Sequence, residues 1–356
     1  AMSQVMNNVP ILLGVPVAVL GVLSTVSPPV ADFVAKMFKM TRAVTHMVLS
    51  SEGKVKSDLK KMKDPALLVP LGLDKLEKRE IVFMRHGESA WNEVFNKGKM
   101  PAKLFAIPFR LARALFRELM CALSSNSLFL DSPLSPEGLA QAKELAVYLA
   151  NTSKTGDTPA EQKYLRILRS QDPSVYATSN LRRAIETIGI GLWGTIQQKK
   201  VQVAVLSDLQ EISPNVDTMT LSEPSKLPPL PDLPAQLSSP SLELTTCFQT
   251  KDNLGQKALF ESATQRLLRF AAWSFDSEEV KGGSTAVVAA GHSLWFQTFF
   301  KAFLGRETEH VAKKKKIVNA GCVGFTLYRG KLPGDAEYTY YVDHASITPV
   351  YLGFAK

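Results

Sequence analysis

Runs dominated by apolar residues occur at residues 80–84 (EIVFM) and 285–290 (TAVVAA), with further strand candidates at 174–177 and 201–205. Runs of about four to eight such residues bounded by polar turns mark strands buried on both faces. Residues 135–149 and 258–272 instead repeat their apolar positions with helical period, which predicts helices with one buried face. Strands alternating with helices predict an α/β fold, a three-layer sandwich around a largely parallel central sheet. In such a sheet the functional side chains collect where the strands end.

Two segments break this rhythm, at about residues 96–130 and 213–250. The first contains a stretch rich in Leu, Phe and Ala, residues 101–123, in which Arg110, Arg113 and Arg117 fall on one helical face. That face is expected either to guide substrate choice or docking on an anionic surface, or to keep an apolar helix in solution. The second is rich in Pro and Ser without periodicity, and residues 213–246 are expected to form an irregular loop.

Ahead of the first strand, residues 9–26 read VPILLGVPVAVLGVLSTV, an uncharged run long enough to cross a hydrocarbon layer as a helix. Pro10, Pro16 and the minimal length suit a helix packed on the domain equally well; part of a targeting signal is a further alternative, and the lack of basic residues ahead of the run argues against an ordinary secretory signal. No Lys or Arg occurs in residues 1–35, whereas Lys36, Lys39 and Arg42 follow. A spanning run would therefore leave the rest of the chain on the cytosolic or matrix side of a membrane. The division expected is residues 1–78, a hydrophobic segment and basic linker, and residues 79–356, a catalytic domain carrying both inserts.

The net charge of +9 suits nucleic acid, anionic lipid or small phosphorylated substrates alike. Much of it lies in the residues after position 35, and the run Lys313 to Lys316 is a short cluster of the kind found on solvated edges or lipid contacts. Three scattered cysteines, Cys121, Cys247 and Cys322, exclude a disulfide framework or a thiolate metal cluster and fit a reducing compartment. No metal-ligand spacing is present.

Four short motifs carry candidate chemistry. Arg85-His86-Gly87-Glu88-Ser89 stands where the first apolar strand ends, so that an imidazole and a guanidinium emerge together. Residues 178–187 (TSNLRRAIET) open a helix whose free backbone donors attract an anion, and Arg183 adds a fork of donors. Of the adjacent Arg182 and Arg183, one is expected to be a solvated surface charge. Glu211 follows the strand at 201–205, where a partly buried carboxyl can protonate a leaving alkoxide. His292 ends the apolar strand at 285–290. Taken singly, each also fits an ordinary surface or core residue.

In this order the four motifs resemble the histidine phosphatase superfamily, the phosphoglycerate mutase-like family, over residues 80–328. The first motif extends to Ala90-Trp91-Asn92, and residues 131–142 (DSPLSPEGLAQA) resemble the family segment that opens its first long helix. The resemblance implies a phosphoglycerate mutase-like fold, with His86 as the nucleophile that forms a phosphohistidine. It also implies that Arg85, Arg183, His292 and Asn92 clamp the phosphoryl group and that Glu211 is the proton donor. No metal or other cofactor is implied, since cationic side chains stabilise the transferred group.

The mutases of this family carry Tyr-Gly and Gly-Asn-Lys stretches after the acidic residue, and here Ser213-Pro214-Asn215-Val216-Asp217-Thr218 stands in their place. A metal-independent phosphomonoester hydrolase is therefore expected, acting on a phosphorylated substrate. The alternatives are an accessory subunit of a membrane complex that keeps a phosphatase-like fold, and a phosphoglycerate mutase. Nucleic acid is not expected as a partner, while membrane lipid or a membrane protein complex is.

Overall fold

A computed structural model describes residues 27–95, 102–231, 233–237 and 244–356. The apolar run at 9–26 lies outside these residues, and no helix among those described is long and apolar enough to cross a membrane.

The strands are β1 (Glu77–Arg85), β2 (Ser174–Ser179), β3 (Val203–Leu206), β4 (Phe248–Gln249), β5 (Ala286–Gly291), β6 (Cys322–Gly330), β7 (Thr339–Val342) and β8 (Thr348–Tyr351). They form one sheet in the order β4-β3-β2-β5-β1-β6-β7, with β8 also paired to β6. The first five run parallel to their neighbours, and β6 to β8 add an antiparallel edge. The principal helices are α1 (Pro28–Leu49), α2 (Ala90–Phe95), α3 (Ala102–Met120), α4 (Pro136–Ala150), α5 (Pro159–Leu168), α6 (Arg182–Gly191), α7 (Ala263–Asp276) and α8 (Ser293–Phe303).

Alternation along β1 separates two cores. Ile81 and Phe83 point to one face and pack with α7 and α8, whereas Val82 and Met84 join α4, α5 and α6 on the other. Phe83 is the hub of the first core: its ring stacks on Phe296 at 4.2 Å and meets Phe325 and Phe299 at 4.7 and 5.0 Å. The sheet is thus covered by helices on both faces, as the continuous apolar runs predicted.

The basic stretch read as a linker is helical. It forms α1, a short helix at Val55–Lys61 and three 3-10 segments, and α1 lies on the domain with Lys36, Ala43 and His46 buried. The insert at 101–123 contains α3, and Arg110, Arg113 and Arg117 line one small cleft with Trp91, Val94 and Phe129. The apolar flank of α3 is the more open one: Phe109, Leu119 and Met120 are 80%, 70% and 72% exposed. Arg113 and Arg117 are themselves exposed and Arg110 is half-buried, so both expectations for this face stand. Residues 213–231 are largely irregular, with a single 3-10 turn at Val216–Thr218, yet Asp217, Thr218, Met219, Thr220 and Leu221 are buried.

Candidate active site

Strand order brings the four motifs side by side. β1 and β5 are neighbours in register, Arg85 opposite Gly291, so the next residue of each strand, His86 and His292, leaves the sheet at the same point. Their rings lie 5.0 Å apart between centroids. β2 flanks β5 on its other side and leads into α6 with Arg183, and β3 beyond it leads to Glu211. Parallel strands end at one edge, and four separate stretches of chain thereby meet there. Arg85, His86, Asn92, Arg183 and Glu211 line a single cavity of about 410 Å³, together with Glu88, Trp91, Ser213, Asn215, Asp217, Thr218, Ser293, Leu294, Lys316 and Asn319.

His86 is buried and held as one tautomer. Its Nδ1 donates to the carbonyl of Gly87 at 2.5 Å, which leaves Nε2 bare. Burial, followed by the nearby charges of Arg183 and Arg85, keeps the imidazole well below its ordinary pKa. A neutral ring with a bare nitrogen is the form a nucleophile requires. The backbone around it is pinned: His86 N donates to Gly291 O at 3.0 Å, and Gly87 N donates to Thr187 Oγ1 of α6 at 3.0 Å.

His292 caps the start of α8, and its Nε2 pairs with Ser179 Oγ at 2.9 Å. Burial, with Arg183 next in effect, holds its pKa well below the ordinary value too. Arg85 donates through Nη1 to Ile317 O at 2.7 Å, and Arg183 through Nη1 to Asp217 O at 2.8 Å. Arg85 Nε, Arg183 Nε and His292 Nδ1 are buried and have no partner among the described residues. Buried polar atoms are nearly always paired in folded proteins, and the two orphaned guanidinium donors on the cavity wall suit an anion, with Asp217 Oδ1 an orphaned acceptor on the same wall. Burial pulls Arg85 down to about 10, which leaves it charged at neutral pH.

Glu211 is buried and its carboxylate sits at the start of α8, where Oε1 accepts from Trp295 N at 2.9 Å and from Ile212 N at 3.0 Å. Burial raises its pKa, against the opposing pull of Arg183 and of the Trp295, Leu294 and Ile212 amides. A carboxyl held at a fixed place with a raised pKa is suited to donate a proton.

The expectation that one of Arg182 and Arg183 is solvated is corrected: both are buried, at 0% and 2% exposure. Arg182 faces away from the cavity and binds the chain before α4, donating through Nε to Asp131 O at 2.6 Å and through Nη2 to Ser127 O. Asp131 in turn accepts from Arg182 N at 2.7 Å and Leu221 N at 2.9 Å. This Arg182–Asp131 pair thus ties α6 to the loop at Leu221 that follows Glu211.

Sequence reasoning does not single out Asp217, Lys316 or Asn319, which also line the cavity. Asp217 Oδ2 lies 3.6 Å from Arg183 Nη2, so an acidic group of the loop shares that arginine. Within the lysine run, Lys313 is spent on the carbonyls of residues 305, 306 and 308 and Lys314 on Glu309, while Lys316 borders the site. No single-residue signal distinguishes these positions, because only the return of the chain before β6 brings residues 316–319 to the cavity.

One contact fixes the first motif to α4. A Cβ placed on Gly138 would lie 2.0 Å from Glu88 O, and one on Gly87 would lie 2.6 Å from Gly138 O, backbone against backbone. Ser135 N donates to Glu88 O at 2.8 Å across the same junction. Gly138→Ala should therefore cost about 3 kcal/mol by overpacking, a fall in Tm of roughly 6 °C for a domain of this size. An unchanged Tm in thermal denaturation would contradict this close approach.

No protein-family model matches the sequence, and no curated protein matches it either. Among solved structures, the chain is similar to a mycobacterial hydrolase, at 19% identity over 78% of this chain and 92% of that one, with a TM-score of 0.36. It is similar also to a mycobacterial glucosyl-3-phosphoglycerate phosphatase, at 17% identity over 75% and 97% of the two chains, TM-score 0.35. A phosphoglycerate mutase from Bacillus anthracis shows 15% identity over 76% and 94%, TM-score 0.36.

Proposed function

We propose that the protein is a phosphomonoester hydrolase of the histidine phosphatase type, which transfers a phosphoryl group to His86 without a metal. The observation that carries this reading is a neutral His86 with an unprotonated Nε2, on a cavity whose wall also carries two orphaned buried donors, on Arg85 and Arg183, with the His292 ring 5.0 Å away. Nε2 attacks phosphorus, and the bond to the leaving oxygen breaks as the N–P bond forms. Glu211 gives its proton to that oxygen. Water then attacks the phosphorus, losing a proton to the Glu211 carboxylate, and the N–P electron pair returns to Nε2 as phosphate leaves. Arg85, Arg183 and His292, with Asn92 on the cavity wall, hold the equatorial oxygens throughout.

Small polar side chains, Ser213, Asn215 and Thr218, line the cavity beyond Glu211. They stand where the mutases carry Tyr-Gly and Gly-Asn-Lys, and this departure favours hydrolysis over mutase chemistry, although Lys316 adds one cation to the same cavity. The test is an assay of purified protein on phosphosugars, phospholipids, phosphopeptides and p-nitrophenyl phosphate, with and without chelator. Phosphate release that survives the chelator is expected. Inactivity on the whole panel would overturn the reading in favour of an accessory subunit.

A further inference from the structure

The irregular loop that carries Glu211 has few backbone partners of its own, and its carbonyls must be satisfied by side chains. Three of them, those of Gln210, Glu211 and Ser213, converge on one buried cluster. Lys257 Nζ donates to Glu211 O at 2.7 Å, to Ser213 O at 2.8 Å and to Thr218 Oγ1 at 3.3 Å. Arg266 of α7 donates through Nη1 to Gln210 O at 2.7 Å. Both cations meet one carboxylate, Glu52 Oε1, at 3.2 Å from Lys257 and 2.5 Å from Arg266. All three side chains are 3% exposed or less.

Glu52 belongs to the segment ahead of β1, and that segment touches the loop again and again. Lys39 Nζ donates to Leu221 O at 2.6 Å, and Ala43 and Met40 of α1 pack with Met219, Leu221 and Val216. His46 of α1, buried beside Lys257, is pushed down to about 4, chiefly by burial and then by the Lys257 charge. Ser51 ties the other side of the cluster, donating through Oγ to Glu261 O at 2.6 Å.

We propose that Lys257, anchored by Glu52, is a positioning residue that fixes the backbone of Glu211 and so places the general acid over the phosphate. The inference rests on the phosphatase reading above. It makes the region of α1 and Glu52 part of the catalytic unit. A buried lysine without its counter-charge sheds its proton, and Lys257 is already pulled down to about 8, chiefly by burial, with Glu52 opposing the shift. Loss of either partner therefore loosens the same three bonds to the loop.

Lys257→Met is the direct test, because it leaves Glu52 paired with Arg266 and orphans no charge. Its kcat for an alkyl phosphate should fall roughly 10-fold or more, since a misplaced acid fails when the leaving group needs a proton. For p-nitrophenyl phosphate, whose leaving group needs little protonation, kcat should stay within about 3-fold, and KM should change little for either ester. A merely structural lysine would lower both rates equally or neither, and either result overturns the proposal. If Lys257→Met does not fold, Glu52→Gln is read in the same way, with the same split expected and its absence equally decisive. Should the wild type hydrolyse both esters while the variants keep its ratio, the positioning role fails alone. A wild type inactive on both overturns this role together with the phosphatase reading.

Discussion

His86→Ala should lower phosphate release by about 10⁴-fold or more, because the replacement removes the proposed nucleophile. The loss should appear in kcat, since Arg85 and Arg183 remain to bind the substrate phosphate. His86 lies at the end of β1 with its ring hydrogen-bonded to Gly87 O at the sheet edge, so the fold should survive the change. Normal turnover by a folded His86→Ala protein would remove this residue from the reaction.

The second large effect is expected at Glu211. Glu211→Gln should cost roughly 10²- to 10⁴-fold on an alkyl phosphate, the usual contribution of a positioned general acid, and far less on p-nitrophenyl phosphate. The pH profile gives the sign. The acid works while protonated, and burial raises the Glu211 pKa, so the wild-type rate on alkyl esters should fall as pH rises through that raised value. At the acid end the rate should fall only where His86 takes up a proton, well below the ordinary histidine range. Glu211→Gln should abolish the upper limb and leave the lower one. A Glu211→Gln enzyme that keeps the upper limb, or that loses equal activity on both esters, would contradict the assignment.

Some of this is visible in the sequence for physical reasons that can be named. β1 and β5 are covered on both faces, so they read as continuous apolar runs, and the polar residues that end those runs are the ones at the sheet edge. That Arg85, His86, Arg183 and Glu211 share one cavity is implied only through the family resemblance. Their adjacency depends on strand order, which periodicity does not encode. The two outer strands of the antiparallel edge, β7 and β8, escape because they are four residues each and mix polar with apolar positions.

Buried charges are the least legible part. Arg182 reads as a surface residue because neighbouring arginines usually are, and its burial depends on the carbonyls of residues 127 and 131 some fifty positions earlier. Lys257 lies in a polar stretch with nothing local to mark it, and its partner Glu52 stands near the other end of the chain, ahead of β1. Helical spacing puts the arginines of α3 on one face, but it cannot say which face of an amphipathic helix meets the protein.

The phosphoenzyme itself tests the central claim most directly. The protein would be mixed with a phosphate ester that it hydrolyses, quenched in alkali within the first turnover, digested, and its peptides weighed by mass spectrometry. Phosphohistidine survives alkali, so the account predicts a phosphoryl group on the peptide containing His86, formed and lost at rates that match turnover. Phosphate released with no such peptide at any time, or a phosphoryl group on a different residue, would contradict it.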